Sequence, residues 1–359
     1  MAERALAPSP LIFSNSGEVR TGPVKSLPYV ISALGGNPVG VFESADIDLD
    51  RFVNDREQRL DYNLTTQLFC TAIRQTECPH LGILVGRRSS LDDLGPVGQL
   101  MRCAATAEEA LHDLVAHSKL HDRGAAPLFF PLTGQLSLLG YVIHRHDLVT
   151  PRPLIDTAMM VGVRALRELL GPGWTPVRAQ LAYRKPEDFS AYSRMFRCPV
   201  QFNANVSGLV ILNQQLRQKL KTANPRRHQQ LRGAIVAATA GLTTSELIRH
   251  QLHSLLLAGE ARAEQIAERV GLHIRTLHRR LDAEGTHVQQ LITETRRSLA
   301  MQLLAHTNLP VSTVAQSLQY QDPNAFSRAF KLWTGISPQL WRNTSSPISN
   351  SAAPLITPG

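Results

Sequence analysis

Cysteine is scarce in this sequence, and its four cysteines (Cys70, Cys78, Cys103 and Cys198) form no CxxC pair. A disulfide framework is therefore not expected, and a reduced, intracellular compartment is the default. Residues 1–20 also lack the continuous apolar stretch of a secretory signal. These two absences lead us to expect a cytoplasmic protein.

Long apolar runs are also missing, with one segment that needs a closer look. Residues 124–143 carry no charge and match the span of a bilayer in length. Pro127, Pro131 and Gly134 would interrupt a membrane helix, and two short strands around the turn Thr133–Gln135 fit the pattern better. We expect no membrane span and no membrane partner.

Catalytic motifs are absent as well, since the sequence contains neither HExxH nor GxSxG. His144 and His146 would share one face of a strand, but Asp147 would point to the opposite face and no cysteine is near. Ordinary strand-end or pocket-lining histidines are favoured over a metal site. We expect no enzyme, no catalytic residue, no bound metal and no cofactor.

What the chain does have is a basic excess, and that excess is unevenly placed. The 359 residues, 43% of them hydrophobic, can build two or three domains. There are 38 Lys and Arg against 29 Asp and Glu, a net charge of +9. From Pro225 onward we count 14 Lys and Arg against 8 Asp and Glu, which is +6 of that total. An anionic partner is therefore expected at the C-terminal part first.

The pattern along the chain predicts five segments. They are a flexible arm (1–25), an α+β sensor and dimerisation domain (26–213), a linker (214–240), an all-α domain (241–342) and a flexible tail (343–359). In the α+β segment, helical spacing covers Leu64–Ile73, Val97–Met101 and Ala107–His117, and strand-like spacing covers Pro127–Pro131, Gln135–His144, Pro176–Tyr183 and Leu209–Leu212. After Asn224-Pro225 the strand signals stop.

The all-α part contains a loose duplication, and its first copy spans Ala261–Leu281. A helix over Glu264–Val270 ends at Gly271, and a second helix begins near Ile274. At about 100° per residue, Leu277 and Leu281 join Ile274 on one face. The opposite face carries Arg275, Thr276 and Arg279, with His278 at the flank. Such a face suits a DNA major groove, although a solvated basic face is the alternative.

The second copy, Val311–Phe330, repeats this design. Ser312 is predicted to cap a helix over Thr313–Leu318, and Asp322-Pro323 to begin a second helix that stops at Gly335. Phe326, Ala329, Phe330 and Trp333 fall on one side of that helix, and Asn324, Ser327, Arg328 and Lys331 on or beside the other. Thr286–His306 reads as one long helix between the copies. About 20 residues give about 30 Å, close to the roughly 34–36 Å between successive major-groove faces.

This arrangement resembles the DNA-binding domain of AraC/XylS-type transcription regulators over about Glu246–Arg342. The resemblance is carried by AERVGL (267–272), RTLHRRL (275–281) and AFSRAFKLWTGISP (325–338). It implies base contacts from Arg275, Thr276, His278 and Arg279. It also implies contacts, more often to the DNA backbone, from Asn324, Ser327, Arg328 and Lys331. Two positions depart from the family pattern: His273 replaces the usual Ser, and Gln319 replaces the usual Gly before Tyr320, which puts the second turn in question.

The N-terminal part resembles the arabinose-binding-like domain of the branch that includes ornithine and virulence regulators. The resemblance covers about Val30–Asn213 and rests on LGILVG (81–86), Leu94-Gly95 and LHDRG (120–124). It implies an effector-sensing or dimerising domain. From composition, we expect a ligand pocket near Tyr141 and His144, with Arg184 available to an anionic group, although a solvated strand-end arginine is the simpler interpretation.

Taken together, these features predict a sequence-specific, ligand-responsive transcription regulator with two helix-turn-helix motifs joined by a long helix. Its expected partners are a double-stranded DNA operator, a small-molecule effector and a second copy in a homodimer. The family resemblance adds RNA polymerase and favours an activator. The alternatives are a DNA-binding structural protein without effector control and, on weaker grounds, an enzyme with a basic helical domain.

Overall fold

The computed structural model describes residues 17–55, 57–143, 151–238, 243–258 and 261–345. Its first part is mainly helical, with one small antiparallel sheet. The elements are β1 (Glu18–Arg20), α1 (Leu27–Ala33), α2 (Pro38–Glu43), α3 (Leu49–Asn54), β2 (Arg59–Asp61), α4 (Tyr62–Thr76), α5 (Leu81–Gly86), α6 (Pro96–Cys103) and α7 (Ala107–His117). Strand β1 pairs with β2, and Val19 and Val24 are buried. The arm predicted over 1–25 is therefore too long, because the chain joins the folded core by Glu18.

A five-stranded sheet follows, flanked by one long helix. Its elements are β3 (Ala125–Pro131), β4 (Leu136–Ile143), α8 (Arg152–Leu170), β5 (Arg178–Gln180), α9 (Ser190–Phe196), β6 (Val200–Gln201), β7 (Gly208–Leu212) and α10 (Asn213–Leu216). The strand order is β3-β4-β7-β5-β6, with only the β5–β6 pair parallel. The predicted hairpin around Thr133–Gln135 is confirmed as β3 and β4. The strand predicted over Pro176–Tyr183 is shorter, since only Arg178–Gln180 pairs.

Helices alone make up the described C-terminal part. They are α11 (Pro225–Ala238), α12 (Thr244–Ala258), α13 (Ala263–Arg269), α14 (Ile274–Ala283), α15 (Val288–His306), α16 (Val311–Ser317), α17 (Pro323–Thr334) and α18 (Pro338–Ser345). Helix α11 lies within the segment predicted as a linker, and the ring of its His228 is 2.6 Å from the carboxylate of Asp113 on α7. In the described ranges, no helix has both the length and the apolarity that a bilayer crossing requires.

The sheet separates two cores, because side chains alternate across a strand. Leu128, Phe130 and Leu138 belong to the core that contains the buried leucines of α12 and α15. Phe129, Leu139 and Leu209 belong to the core formed with α7 and α8. Helix α12 packs on β3, and α15 contacts β4. The helical C-terminal part is thus seated directly on one face of the N-terminal sheet.

Candidate nucleic-acid interface and effector cavity

The first helical pair, α13 and α14, is held by local signals that the sequence already shows. Gly271, with φ of 69°, ends the first helix in the left-handed conformation. His273 takes the N-cap position of α14, where its Nδ1 accepts a hydrogen bond of 3.3 Å from the Arg275 N–H. The imidazole therefore performs the capping role usual for Ser at this position. Leu277 and Leu281 are fully buried beneath the helix.

The outer face of α14 is basic and accessible. Arg275, His278 and Arg279 are exposed, and Thr276 is half-buried at the edge of this face. Arg280, the next residue along the helix, is exposed too. The structure thus brings the four predicted contact residues of this helix onto one accessible surface, which we call the α14 face (Arg275, Thr276, His278 and Arg279).

The second pair, α16 and α17, has a stronger cap. The Asp322 carboxylate accepts hydrogen bonds from the backbone N–H groups of Asn324 (2.8 Å) and Ala325 (3.1 Å), and Pro323 takes the first helical position. Gly335, with φ of 81°, ends α17. The predicted Ser312 cap is wrong: α16 begins two residues earlier than predicted, at Val311, and Pro310 holds the cap position without a side-chain hydrogen bond. A proline just before the helix fixes the extended entry that Ser312 would otherwise supply.

The outer face of α17 is also accessible. Asn324, Arg328 and Lys331 are exposed, while Ser327 is half-buried and donates its hydroxyl to the Pro323 carbonyl at 2.9 Å. Arg328 lies 3.8 Å from the Asp322 carboxylate, a surface pair that holds the guanidinium only weakly. We call these four residues the α17 face. Leu332, one helical turn after Arg328, is 86% exposed, and the sequence analysis did not single it out. The signal that could have found it is an apolar residue next to the polar side of a helix.

Gln319 supports the turn that precedes α17. Its φ is 63°, so the residue adopts the left-handed conformation that glycine, the usual residue here, takes most easily. Its side-chain amide donates to the carbonyls of Leu256 (2.7 Å) and Leu255 (3.4 Å) on α12. The turn is therefore kept, and it gains a link to α12. The neighbouring Tyr320 ring packs against Phe326, and the Arg296 guanidinium lies 5.3 Å from its centre.

A cavity of about 880 Å³, including the space at its mouth, lies between the sheet and α8. Residues at a spacing of three or four along one face of α8 form one wall, and the sheet residues Leu139 and Leu209 form the opposite wall. Among the lining residues, Ala158, Gly162 and Ala165 are small, which leaves the space open.

One end of the cavity carries a buried polar cluster. The Tyr62 and Tyr141 hydroxyls each donate to Asp122 Oδ2 at 2.6 Å, and the two hydroxyl oxygens are 2.7 Å apart. Asp122 Oδ1 accepts from the N–H groups of Gly124 (3.0 Å) and Ala125 (2.9 Å). Burial raises the pKa of Asp122, and these hydrogen bonds oppose the rise. The carboxylate's acceptor sites are thus occupied from within the protein.

His121 lies beside this cluster and also lines the cavity. Burial, together with the positive charges of Arg20 and Arg59, lowers the pKa of His121 to about 3, so the ring is neutral at pH 7. Its Nδ1 is buried and has no hydrogen-bond partner among the described residues. A neutral imidazole offers one donor and one acceptor, so this nitrogen can receive or give one hydrogen bond.

The structure places only some of the predicted ligand residues at the cavity. Tyr141 lines the cavity, whereas Arg184 is exposed and is not among the residues that line it. His144, like His146 and Asp147, falls outside the described residues. Tyr62 was missed, because it is 60 residues from Asp122 in sequence and no local pattern joins them. His121 and Asp122 were visible only as part of the LHDRG motif, with no role attached.

Comparison with known proteins also divides the chain into an N-terminal and a C-terminal part. Residues 35–220 match the family described as "Arabinose-binding domain of AraC transcription regulator, N-term". The chain belongs to the AraC family of transcription regulators. In addition, residues 266–344 of this AraC-family chain match a helix-turn-helix domain family. The resemblance noted in the sequence is thereby confirmed, and the chain is a DNA-binding regulator rather than an enzyme.

Individual AraC-family relatives align over most of the chain. The ornithine utilization regulator of Pseudomonas aeruginosa is 31% identical over 293 residues, covering 80% of this chain and 85% of that protein. The regulator VirS of Mycobacterium tuberculosis is 27% identical over 273 residues, covering 75% and 80%. The crystal structure of the regulator CdpR from Pseudomonas aeruginosa aligns over 85% of this chain and 96% of its own, at 22% identity and a TM-score of 0.44.

Proposed function

We propose that this AraC-family regulator reads a DNA operator with both helical pairs. The observation that carries the proposal is the presence of two separately capped helices, each with its polar side exposed: the α14 face and the α17 face. Helix α15 has 19 residues, or about 28 Å of length. That length suits two helices that enter successive major grooves, about 34–36 Å apart on one side of B-DNA.

We assign the two faces different tasks. Arg275, Thr276, His278 and Arg279 contact base edges, because an exposed Arg can bond two acceptors of one guanine. Asn324, Arg328 and Lys331 contact the DNA backbone. Ser327 shares this role only as an acceptor or after rotating, since its hydroxyl donates to Pro323. The Arg328–Asp322 pair would open on binding, at little cost for so exposed a pair.

The cavity supports the second half of the proposal, a small-molecule effector that controls DNA binding. Its walls include Leu139 of β4, while the opposite face of the same sheet contacts α12 and α15. A ligand between the sheet and α8 can therefore favour one position of the DNA-binding helices over another. We further propose a homodimer that activates transcription through RNA polymerase in the bacterial cytoplasm, as is usual in the family.

Selection of binding sites from a random DNA library with the purified chain tests the proposal. We expect a single enriched motif that spans two successive turns of the helix. Enrichment of no motif, with uniform coating of all DNA, would favour the alternative of a structural DNA-binding protein. Salt dependence does not discriminate, because phosphate contacts cause it in both cases.

A further inference from the structure

The walls of the cavity are almost wholly apolar. Leu94, Leu114, Leu139, Met159, Val161 and Leu209 are among the side chains that face it. Contacts of this kind stabilise an apolar ligand by removing its surface from water. A polyhydroxylated ligand such as a sugar would lose its hydrogen bonds to water here and find few replacements.

Among the described residues that line the cavity, the polar side chains are already in use, with one exception. The Thr157 hydroxyl donates to the carbonyls of Pro153 (2.8 Å) and Gly82 (3.0 Å), and the Ser118 hydroxyl donates to Val115 (3.2 Å). The two tyrosine hydroxyls donate to Asp122. His121 Nδ1 is the exception, because no described residue bonds it. Because this nitrogen is itself buried, it can hydrogen-bond to a ligand once the imidazole turns toward the cavity, and the tyrosine oxygens keep some acceptor capacity.

Charge narrows the ligand class further. Among the described residues, the lining contains no Lys and no Arg, and its one charged group is the carboxylate of Asp122. A carboxylate ligand would lie near that like charge and have no cation in the cavity wall. A primary amine would have to compete with four internal hydrogen bonds for the Asp122 oxygens. Both charged classes are disfavoured, since an unpaired charge is costly to bury.

We propose that the cavity binds a neutral, mainly apolar molecule with one oxygen that hydrogen-bonds to His121, such as a medium-chain alcohol or ketone. The assignment rests on the proposed effector role of the cavity, and it differs from what a sugar-binding or an amino-acid-binding site would require. The ligand body lies between α8 and the sheet, and its polar end lies beside His121.

Isothermal titration of the full chain with matched probes tests this ligand class. The probes are 1-octanol, octanoate of the same chain length, and L-arabinose, all at pH 7. We expect 1-octanol to bind at least about ten-fold more tightly than octanoate, a difference of about 1.4 kcal/mol, and L-arabinose to show no binding. Tighter binding of octanoate or L-arabinose than of 1-octanol, or no binding of 1-octanol, would overturn the proposal.

Two substitutions place the binding in this cavity. Leucine in Gly162→Leu would extend toward Leu139 and Leu209, because a Cβ at Gly162 already lies 3.3 Å from Leu209 Cδ1. Ala158→Leu fills the same space from the next turn and serves if the first variant fails to fold. We expect each folded variant to lose 1-octanol binding. His121→Phe removes the hydrogen bond but keeps an aromatic ring, and should weaken 1-octanol about two- to ten-fold. Undiminished binding by folded Gly162→Leu and Ala158→Leu would move the ligand elsewhere and overturn the assignment.

A separate measurement tests the effector role: the affinity of the chain for its operator, with and without 1-octanol. Binding of 1-octanol in the cavity without any change in operator affinity would support the ligand class and count against effector control. A charged or sugar ligand that occupies the cavity and changes operator affinity would support effector control and count against the proposed ligand class.

Discussion

Leu138 and Leu139 are consecutive residues of β4, yet their side chains belong to different cores. Leu138 is fully buried in the core that contains Ile248 and Leu252 of α12. Leu139 packs on the α8 side and lines the cavity. The alternation of a β-strand therefore places the C-terminal helices α12 and α15 and the cavity on opposite faces of one sheet, a single layer apart.

Truncation of these two leucines should separate binding from response. We expect Leu138→Ala and Leu139→Ala each to destabilise the protein by about 2–5 kcal/mol, as buried Leu→Ala changes do. Leu138→Ala should keep ligand affinity and reduce the effect of ligand on operator binding, because it loosens the sheet from α12. Leu139→Ala should change ligand affinity itself. Urea unfolding measures the stability of each variant. Ligand titrations with and without operator measure the ligand affinity and the effect of the ligand on operator binding.

The reverse assignment would contradict this account of the sheet. If Leu138→Ala altered ligand affinity and Leu139→Ala did not, the two faces would not have the roles inferred from their cores.

Arg279 offers a direct test of the α14 face. We expect Arg279→Ala to weaken operator binding by about 1–3 kcal/mol, because it removes contacts to one base pair. Arg74→Ala is the charge-matched control: Arg74 is exposed on α4 and bonds only locally, to Thr71. Gel-shift titrations at one fixed salt concentration compare the two variants. Equal affinities for Arg279→Ala and Arg74→Ala would remove Arg279 from the interface.

Two substitutions of Gln319 separate the stability that its side-chain hydrogen bonds contribute from the cost of its left-handed backbone conformation. Gln319→Ala keeps a side chain in the left-handed conformation but loses the bonds to Leu255 and Leu256, so we expect a loss of about 0.5–1.5 kcal/mol in stability. Gln319→Gly loses the same bonds but relieves a strain of about 1–2 kcal/mol. The glycine variant should therefore stay within about 1 kcal/mol of the wild type and exceed the alanine variant. Urea unfolding midpoints rank the three proteins, and an alanine variant as stable as the glycine variant would contradict this explanation.

Asp156 introduces a pH dependence into the stability of the N-terminal part. It is fully buried on α8, accepts hydrogen bonds from Tyr183 and Tyr192 (2.9 Å for Tyr192), and lies 3.9 Å from Arg152. Burial raises the pKa of Asp156 from 3.8 to about 6. The folded state thus holds this proton more tightly than the unfolded chain does. Protonated Asp156 therefore contributes about 3 kcal/mol to the free energy of unfolding. This contribution is full below about pH 4 and is lost as the pH rises through about 6.

Asp156→Asn should remove that dependence, because an amide does not titrate. Unfolding free energies at intervals from pH 4 to pH 7 would show the difference: the fall in stability across this range should be smaller in the variant than in the wild type. Two parallel curves would mean that Asp156 does not titrate in this range.

Local patterns explain which parts of the structure could be predicted. Asp322, Gly271 and Gly335 act within one turn of their own helices, so sequence spacing was sufficient to place α13, α14 and α17. The hairpin of β3 and β4 was found because its turn is equally local. The exposed residues of the α14 and α17 faces followed from helical periodicity alone.

Long-range pairing explains what was missed. The cavity's polar end joins Tyr62, Asp122 and Tyr141, which are 60 and 19 residues apart along the chain. Nothing local marks them as partners. Arg184 was favoured for a ligand because it is charged, yet it is exposed and does not line the cavity. The contact of Gln319 with α12 likewise spans 63 residues and could not be anticipated from the family pattern.

We propose that one chain places α14 and α17 in two successive major grooves. Hydroxyl-radical footprinting of the selected operator measures this directly. We predict two protected stretches per subunit, about 10–10.5 base pairs apart on one side of the duplex, with Arg279→Ala weakening the stretch read by α14. A single protected stretch per subunit, or protection spread evenly along the DNA, would contradict the account.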